Sequence, residues 1–425
     1  MNSNNCTENE DLESMFIRFH RMEDVRSTSS SSSVSELQRK VTWKIRGSDN
    51  CYCAMWFELL ADVAVLVSMY KMTLENSFTS IEDLFRIIAK FIFIWQVWFG
   101  QVLILCQFDT DFFLFRLLQL IQVISISTIG ITRPFAATNE DAYRVFVGTI
   151  VISKIILLIQ LVLSPHRLKD VHRLWILSTI VEIVLWSCTF NFKTTYNNDY
   201  NSTIWFWRIG VMLECFTSIY SGATSHKMNS NFLQDRFALM TIALFGKLWF
   251  GIAIFLKDFS YIYLAIIILH TLLIFAFWHI YYFSTRAYEL VDKPIFKASW
   301  MFLELIFHLL LFVASSATYD ISMYNSTREM SIELTSFCIL LLILSITSTL
   351  DRNHSKRILF MVGRVVFAFI GLITVFATDI SSYYQYIICL TVLTGLLLLL
   401  MVIEWSMYMR YFDKPLISIN KPTRI

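Results

Sequence analysis

Five prolines and eleven glycines are few for a chain of 425 residues. All five prolines (Pro134, Pro165, Pro294, Pro415 and Pro422) fall between or beyond the apolar runs. Transporters that hold substrate on unwound half-helices interrupt those segments with glycine or proline. That device is excluded here, and any pathway through the chain must be lined by side chains. Charge is scarce as well, at 16% of residues against about 25% in a soluble globular domain. The eight cysteines are scattered, and none lies in an expected external loop, so no disulfide framework is expected. Cys51 and Cys53 are too few for a zinc site; inert thiols and palmitoylation both stay open for them. No Walker loop, Gly-rich dinucleotide turn, His-Glu-x-x-His or Gly-x-Ser-x-Gly is present. We therefore expect no cofactor, no metal and no nucleic-acid partner.

What is abundant is apolar sequence: 56% of residues are hydrophobic, and the mean hydropathy is +0.57. Runs of about 20 apolar residues, the length that crosses a bilayer as a helix, occur near 53–71, 87–107, 112–131, 145–163, 171–190, 204–222, 236–256, 259–283, 298–316, 331–350, 358–377 and 383–408. Lipid cannot satisfy backbone polar groups, and these solid runs lack the alternation of a barrel. The expected fold is all-α: a polytopic transmembrane bundle of about twelve spans, with membrane lipids as its surroundings.

Residues 1–50 are polar, contain the run Ser29 to Ser33 and lack a signal-peptide layout; they read as a disordered cytosolic arm. Twenty Lys and Arg flank the spans on the side of the termini. Seven (Lys71, Arg86, Arg133, Arg144, Lys193, Lys257 and Arg328) flank them on the other. The positive-inside rule then places both termini in the cytosol, in a plasma membrane or endomembrane. The sequons at Asn201 and Asn325 fall in loops that this topology makes external, and are the candidate glycosylation sites. Trp186, Trp205, Trp207, Tyr196 and Tyr200 read as an interfacial aromatic belt.

Trp95, Trp98, Phe99 and Asp109 recur at a constant offset of 183 as Trp278, Tyr281, Tyr282 and Asp292. Glu58-Leu-Leu-Ala61 likewise echoes Asp235-Arg-Phe-Ala238. We expect two parallel six-helix halves, 51–225 and 226–410, followed by a cytosolic tail at 411–425.

The chemistry lies in charges at bilayer depth. Glu58 and Asp62 are four apart on one helix face, Glu58 about 6–9 Å from the cytosolic boundary and Asp62 about one turn deeper. A charge in that position costs roughly 2.5–3.5 kcal/mol on insertion scales and calls for a partner inside the bundle. Arg116 and Arg236 enter from the same side. Asp109 and Asp111, in the turn Phe108-Asp-Thr-Asp111, also suit the start of the next helix as cap and dipole partner. The expected cluster is Glu58, Asp62, Asp109, Asp111, Arg116, Asp235 and Arg236. A second set of buried ionisable residues comprises Lys154, Glu182, Glu214, Lys247, His270, His279, Glu304, His308, Arg364 and Glu404. Within it, Lys154 and Glu182 suit mutual neutralisation, and Glu304 with His308, at i and i+4, suits a proton relay.

Glu58-Leu-Leu-Ala-Asp62, the Trp95-Gln-Val-Trp98 helix, Phe108-Asp-Thr-Asp111 with Arg116-Leu-Leu, and Asp235-Arg-Phe-Ala-Leu resemble motifs of the bacterial low-temperature-requirement A family. His308 falls where members place a membrane histidine. The resemblance spans roughly 52–410 and implies a polytopic membrane fold. It departs at Phe245-Gly-Lys247, where the family carries an acid, and at Phe232, where it carries a histidine. The expected function is a transporter or channel-like protein, proton-coupled, for an unidentified small solute or ion. The alternative is a membrane-embedded lipid-modifying enzyme with His308 as base and Glu304 as its orienter.

Overall fold

A computed structural model describes residues 56–75, 81–107, 113–132, 140–163, 170–189, 230–254, 260–286, 293–324, 327–350, 354–378 and 380–411, with scattered positions between 209 and 224. They belong to one compact unit, 45–425. Eleven helices are defined among them: α1 Trp56–Glu75, α2 Ile81–Gln107, α3 Phe113–Ile131, α4 Glu140–Leu163, α5 Asp170–Thr189, α6 Ser230–Ala253, α7 Tyr261–Arg286, α8 Pro294–Tyr324, α9 Thr327–Ser348, α10 His354–Ala377 and α11 Tyr383–Tyr411. Helical residues recur between 209 and 224, where the sixth apolar run was expected. Nine of the defined helices are long and apolar enough to cross a membrane; α1 and α5 fall short of that measure. The polytopic helical bundle expected from the sequence is the fold.

Local signals explain the helix ends. Pro294 opens α8, where its missing N–H costs nothing. Ser382 and Gln385 bracket the start of α11: the Gln385 side chain accepts from the Ser381 N–H at 2.8 Å, and Ser382 Oγ accepts from the Gln385 N–H at 3.5 Å. At the end of α3, Lys90 of α2 donates to the carbonyls of Gly130 (3.0 Å) and Thr132 (2.7 Å). A cation there satisfies carbonyls the helix leaves unpaired.

Packing places α2 and α8 at the centre. Of the apolar stretch of α2, 83% is buried, and of α8, 72%, against 28% for α10. The peripheral helices turn Ile, Leu, Val and Phe outward, as at Ile373 and Phe376 of α10, the arrangement lipid requires. α1 packs most extensively on α3, and α6 on α8; α1 and α2 meet α6 and α8 along a central seam. One expected interfacial residue is instead core. Trp186 is fully buried, edge-on to Phe93 at 4.9 Å, and its ring lies where a Cβ on Gly210 would stand at 2.8 Å. An indole is apolar enough to fill a core once a facing glycine leaves room.

Close approach of α1 to α3 rests on Gly130. A Cβ there would lie 2.3 Å from the Ser68 Cβ and 2.6 Å from its Cα, and Ser68 donates to the Ile126 carbonyl at 3.1 Å. Small residues let membrane helices meet backbone to backbone. Gly130→Ala must part the two helices and should lower the detergent melting temperature by an amount equivalent to about 1–3 kcal/mol. Gly395→Ala, with nothing within 4 Å, should leave it unchanged or raised; equal effects would refute the contact.

Candidate functional site

Asp62 lies about 9 Å into α1, and Arg236 an equal distance into α6. Their side chains meet on the seam: Arg236 Nη2 donates to Asp62 Oδ1 at 2.7 Å, and the two side chains are 2% and 13% exposed respectively. Trp98 of α2 donates its indole N–H to the same oxygen at 2.8 Å. Coulomb attraction and two charge-assisted bonds, each worth roughly 1.5–3 kcal/mol, offset an insertion cost of similar size. The carboxylate thus turns into the bundle, towards a base from the other expected half.

A second layer begins one turn deeper. Trp95 of α2 donates to His308 Nδ1 at 3.3 Å. Indole can only donate, so Nδ1 is the acceptor and the ring proton sits on Nε2. That nitrogen faces the Thr241 hydroxyl at 3.0 Å and the Phe237 carbonyl at 3.3 Å. Phe237 itself is enclosed by aromatic rings: Trp95, Trp98 and Phe99 of α2, Trp300 and His308 of α8. Glu304 accepts from the Tyr281 hydroxyl of α7 at 3.3 Å. Glu304 and His308 share a helix face without bonding each other directly: Tyr281, which donates to Glu304, also interacts with Thr241, whose hydroxyl faces His308 Nε2.

Of the sequence-derived cluster, one pair is seen among the described residues. Asp62 and Arg236 come together, with Trp98 as a partner that spacing could not reveal. Asp235 is exposed on the outer face of α6, and Arg116 is part-exposed on α3. The Glu58 side chain, Asp109, Asp111, Glu214, Asn201 and Asn325 lie outside the described residues.

Three further sets of buried ions are paired or cradled. Lys154 and Glu182 meet at 3.0 Å, with Thr217 donating to the same carboxylate. Arg364 grips Glu404 with two nitrogens, at 2.6 and 2.8 Å. Lys247 donates to the hydroxyls of Ser315 and Ser316, both at 2.7 Å, and stands 4.1 Å over the Phe312 ring. The base that replaces the family's acid is therefore built into the α6–α8 contact. No group of three or more His, Cys, Asp or Glu residues with metal-holding geometry occurs among the described residues, and the five described cysteines, Cys106, Cys188, Cys215, Cys338 and Cys389, are free thiols.

The sequence reading missed Glu333, which is fully buried on α9 against His270 of α7. The signal was available: Glu329 and Glu333 repeat the i, i+4 carboxylate spacing of Glu58 and Asp62.

Compared with known families, residues 54–413 match the model of the bacterial low temperature requirement A protein family, a stretch that takes in every helix from α1 to α11. The chain belongs to this family. Comparison with curated proteins and with solved structures gives no match. The low temperature requirement A family is named for a temperature phenotype and no reaction, so membership establishes the membrane fold and leaves the chemistry to the side chains.

Removing one member of the seam pair strands the other in a dry contact. Asp62→Ala and Arg236→Ala should each destabilise the bundle strongly, while the double variant should fall well short of their sum. A coupling energy of about 3 kcal/mol is expected for a buried pair, read as a double-mutant cycle of unfolding in detergent. Additive losses would dissolve the pair.

Proposed function

We propose that the chain is a transporter or channel-like protein that moves a small solute or ion across the membrane, coupled to protons. The observation that carries this reading is the buried polar layer on the seam. Five helices from both expected halves supply it: Asp62 from α1, Trp95 and Trp98 from α2, Thr241 and Arg236 from α6, Tyr281 from α7, Glu304 and His308 from α8. Ionisable groups this deep in a bundle are costly and mark substrate, ion or proton paths, and transporters built from repeats place such sites at the repeat interface. That α1 packs chiefly on α3 and α6 on α8 supports two six-helix halves with matching internal packing. In this reading both termini are cytosolic, and Asn201 and Asn325 carry external glycans. The substrate is a small solute or ion.

The lipid-modifying alternative asks His308 to act as a base oriented by Glu304. Both ring nitrogens of His308 are already engaged, the side chain is fully buried, and Glu304 faces Tyr281 instead. These contacts favour the transport reading.

In proteoliposomes containing a trapped pH-sensitive dye, an imposed gradient of a transported solute should drive proton movement. Asp62→Asn and His308→Ala, at normal expression, should cut that movement at least tenfold; undiminished movement in both would remove the seam from the mechanism. A new lipid product in extracts incubated with the wild type would instead favour the enzyme.

A further inference from the structure

A second buried polar cluster lies towards the opposite ends of the helices and uses none of the seam residues. Glu333 stands about 9 Å into α9, and four helices meet at its carboxylate. His270 Nε2 of α7 is 2.9 Å from Oε1, the Thr318 hydroxyl of α8 is 2.5 Å from the same oxygen, and the Tyr386 hydroxyl of α11 is 2.5 Å from Oε2. The side chains of His270 and Glu333 have no exposed surface.

The positions of the protons follow from the acceptors. His270 Nδ1 faces the Ile266 carbonyl at 2.8 Å; a carbonyl cannot donate, so Nδ1 carries a hydrogen. The 2.9 Å contact between Nε2 and Oε1 then requires one more proton between them. It is met by imidazolium against carboxylate, or by neutral imidazole against a protonated carboxyl. Both forms leave the pair with no net charge. Without that proton, a lone pair faces a carboxylate and the dry cluster carries a full negative charge.

We propose that Glu333 and His270, with Tyr386 and Thr318, form a proton-binding site whose occupancy holds α7, α8, α9 and α11 together. On release, the proton leaves the Nε2–Oε1 contact, giving neutral imidazole and a bare carboxylate. The Tyr386 hydroxyl, 3.1 Å from Nε2, turns its single hydrogen from Oε2 to Nε2, and Oε2 loses its donor. Thr318 has the same choice, since its hydroxyl also reaches the Ala314 carbonyl at 3.0 Å. The emptied cluster keeps fewer bonds between helices and more charge, so the contact loosens.

The groups around the site leave this proton its own. One turn away on α9, the buried Glu329 has an Oε2 that accepts no hydrogen bond among the described residues, and offers the next carboxylate along the helix. Tyr383 of α11 donates to the Ile321 carbonyl. On α8, Asp320 lies within electrostatic reach of Lys247. Arg364 of α10 bonds Leu344 and Ser348, further along α9.

The site rests on the proton-coupled reading above only for what the proton drives; whether it holds a proton is measured without flux. The full chain in lipid nanodiscs is taken through pH steps under infrared difference spectroscopy, with isotope-labelled histidine. In the wild type, one carboxyl signal and one histidine ring signal should change together at a single midpoint. Glu333→Gln should abolish both, Tyr386→Phe should displace the midpoint by about one pH unit or more, and Asp141→Asn, on an exposed position of α4, should alter neither. If Glu333→Gln fails to fold, the Tyr386→Phe displacement decides alone. Persistence of both signals in Glu333→Gln, an unmoved midpoint in Tyr386→Phe, or no linked change in the wild type would overturn the site. Loss of solute-driven proton movement with the paired signals intact would count against transport and leave the proton site standing.

Discussion

A charge inside this bundle must find its partner on another helix, because lipid offers none and the cost of going without exceeds what one helix contact returns. The pairs Asp62–Arg236, Lys154–Glu182, His270–Glu333 and Arg364–Glu404 all bridge separate helices. Apolar packing between membrane helices is nearly as good in one register as in the next, since lipid tails resemble leucine. A buried pair has no such tolerance: a one-residue slip leaves two uncompensated ions. Order along the bundle is thus set by a few polar contacts, and the greasy surfaces fill in around them.

That division explains what could be seen in the sequence. Helix formation in lipid is a matter of length and hydropathy, both local properties, so eleven of the twelve apolar runs appear in the structure as α1 to α11. Ends were less legible where polar residues extend a helix past the hydrocarbon: α8 runs from Pro294 to Tyr324 although its apolar core suggested 298–316, and α9 begins at Thr327 instead of 331. The four residues lost from α9 disguised Glu333 as a boundary residue. Partner choice was hidden altogether. Nothing in the spacing of Trp95 and Trp98 says that one indole serves His308 and the other Asp62, because that depends on how α2 is rotated against α1 and α8.

Aromatic residues show the same limit. Trp186 carries the composition of an interfacial anchor and the environment of a core residue; the difference lies in Gly210, a remote position whose missing side chain makes room. Lys247 could equally have been a free cation at bilayer depth. Ser315 and Ser316, spaced to reach it from α8, convert it into a helix fastener.

α8 touches both polar layers. His308 faces the seam and Thr318 the Glu333 cluster, ten residues or about 15 Å apart along one axis. No glycine or proline interrupts the helix after Pro294, so it has no joint at which one end could yield alone. Any roll or slide that releases the upper grip is delivered to the lower one as the same movement, as along a rigid shaft.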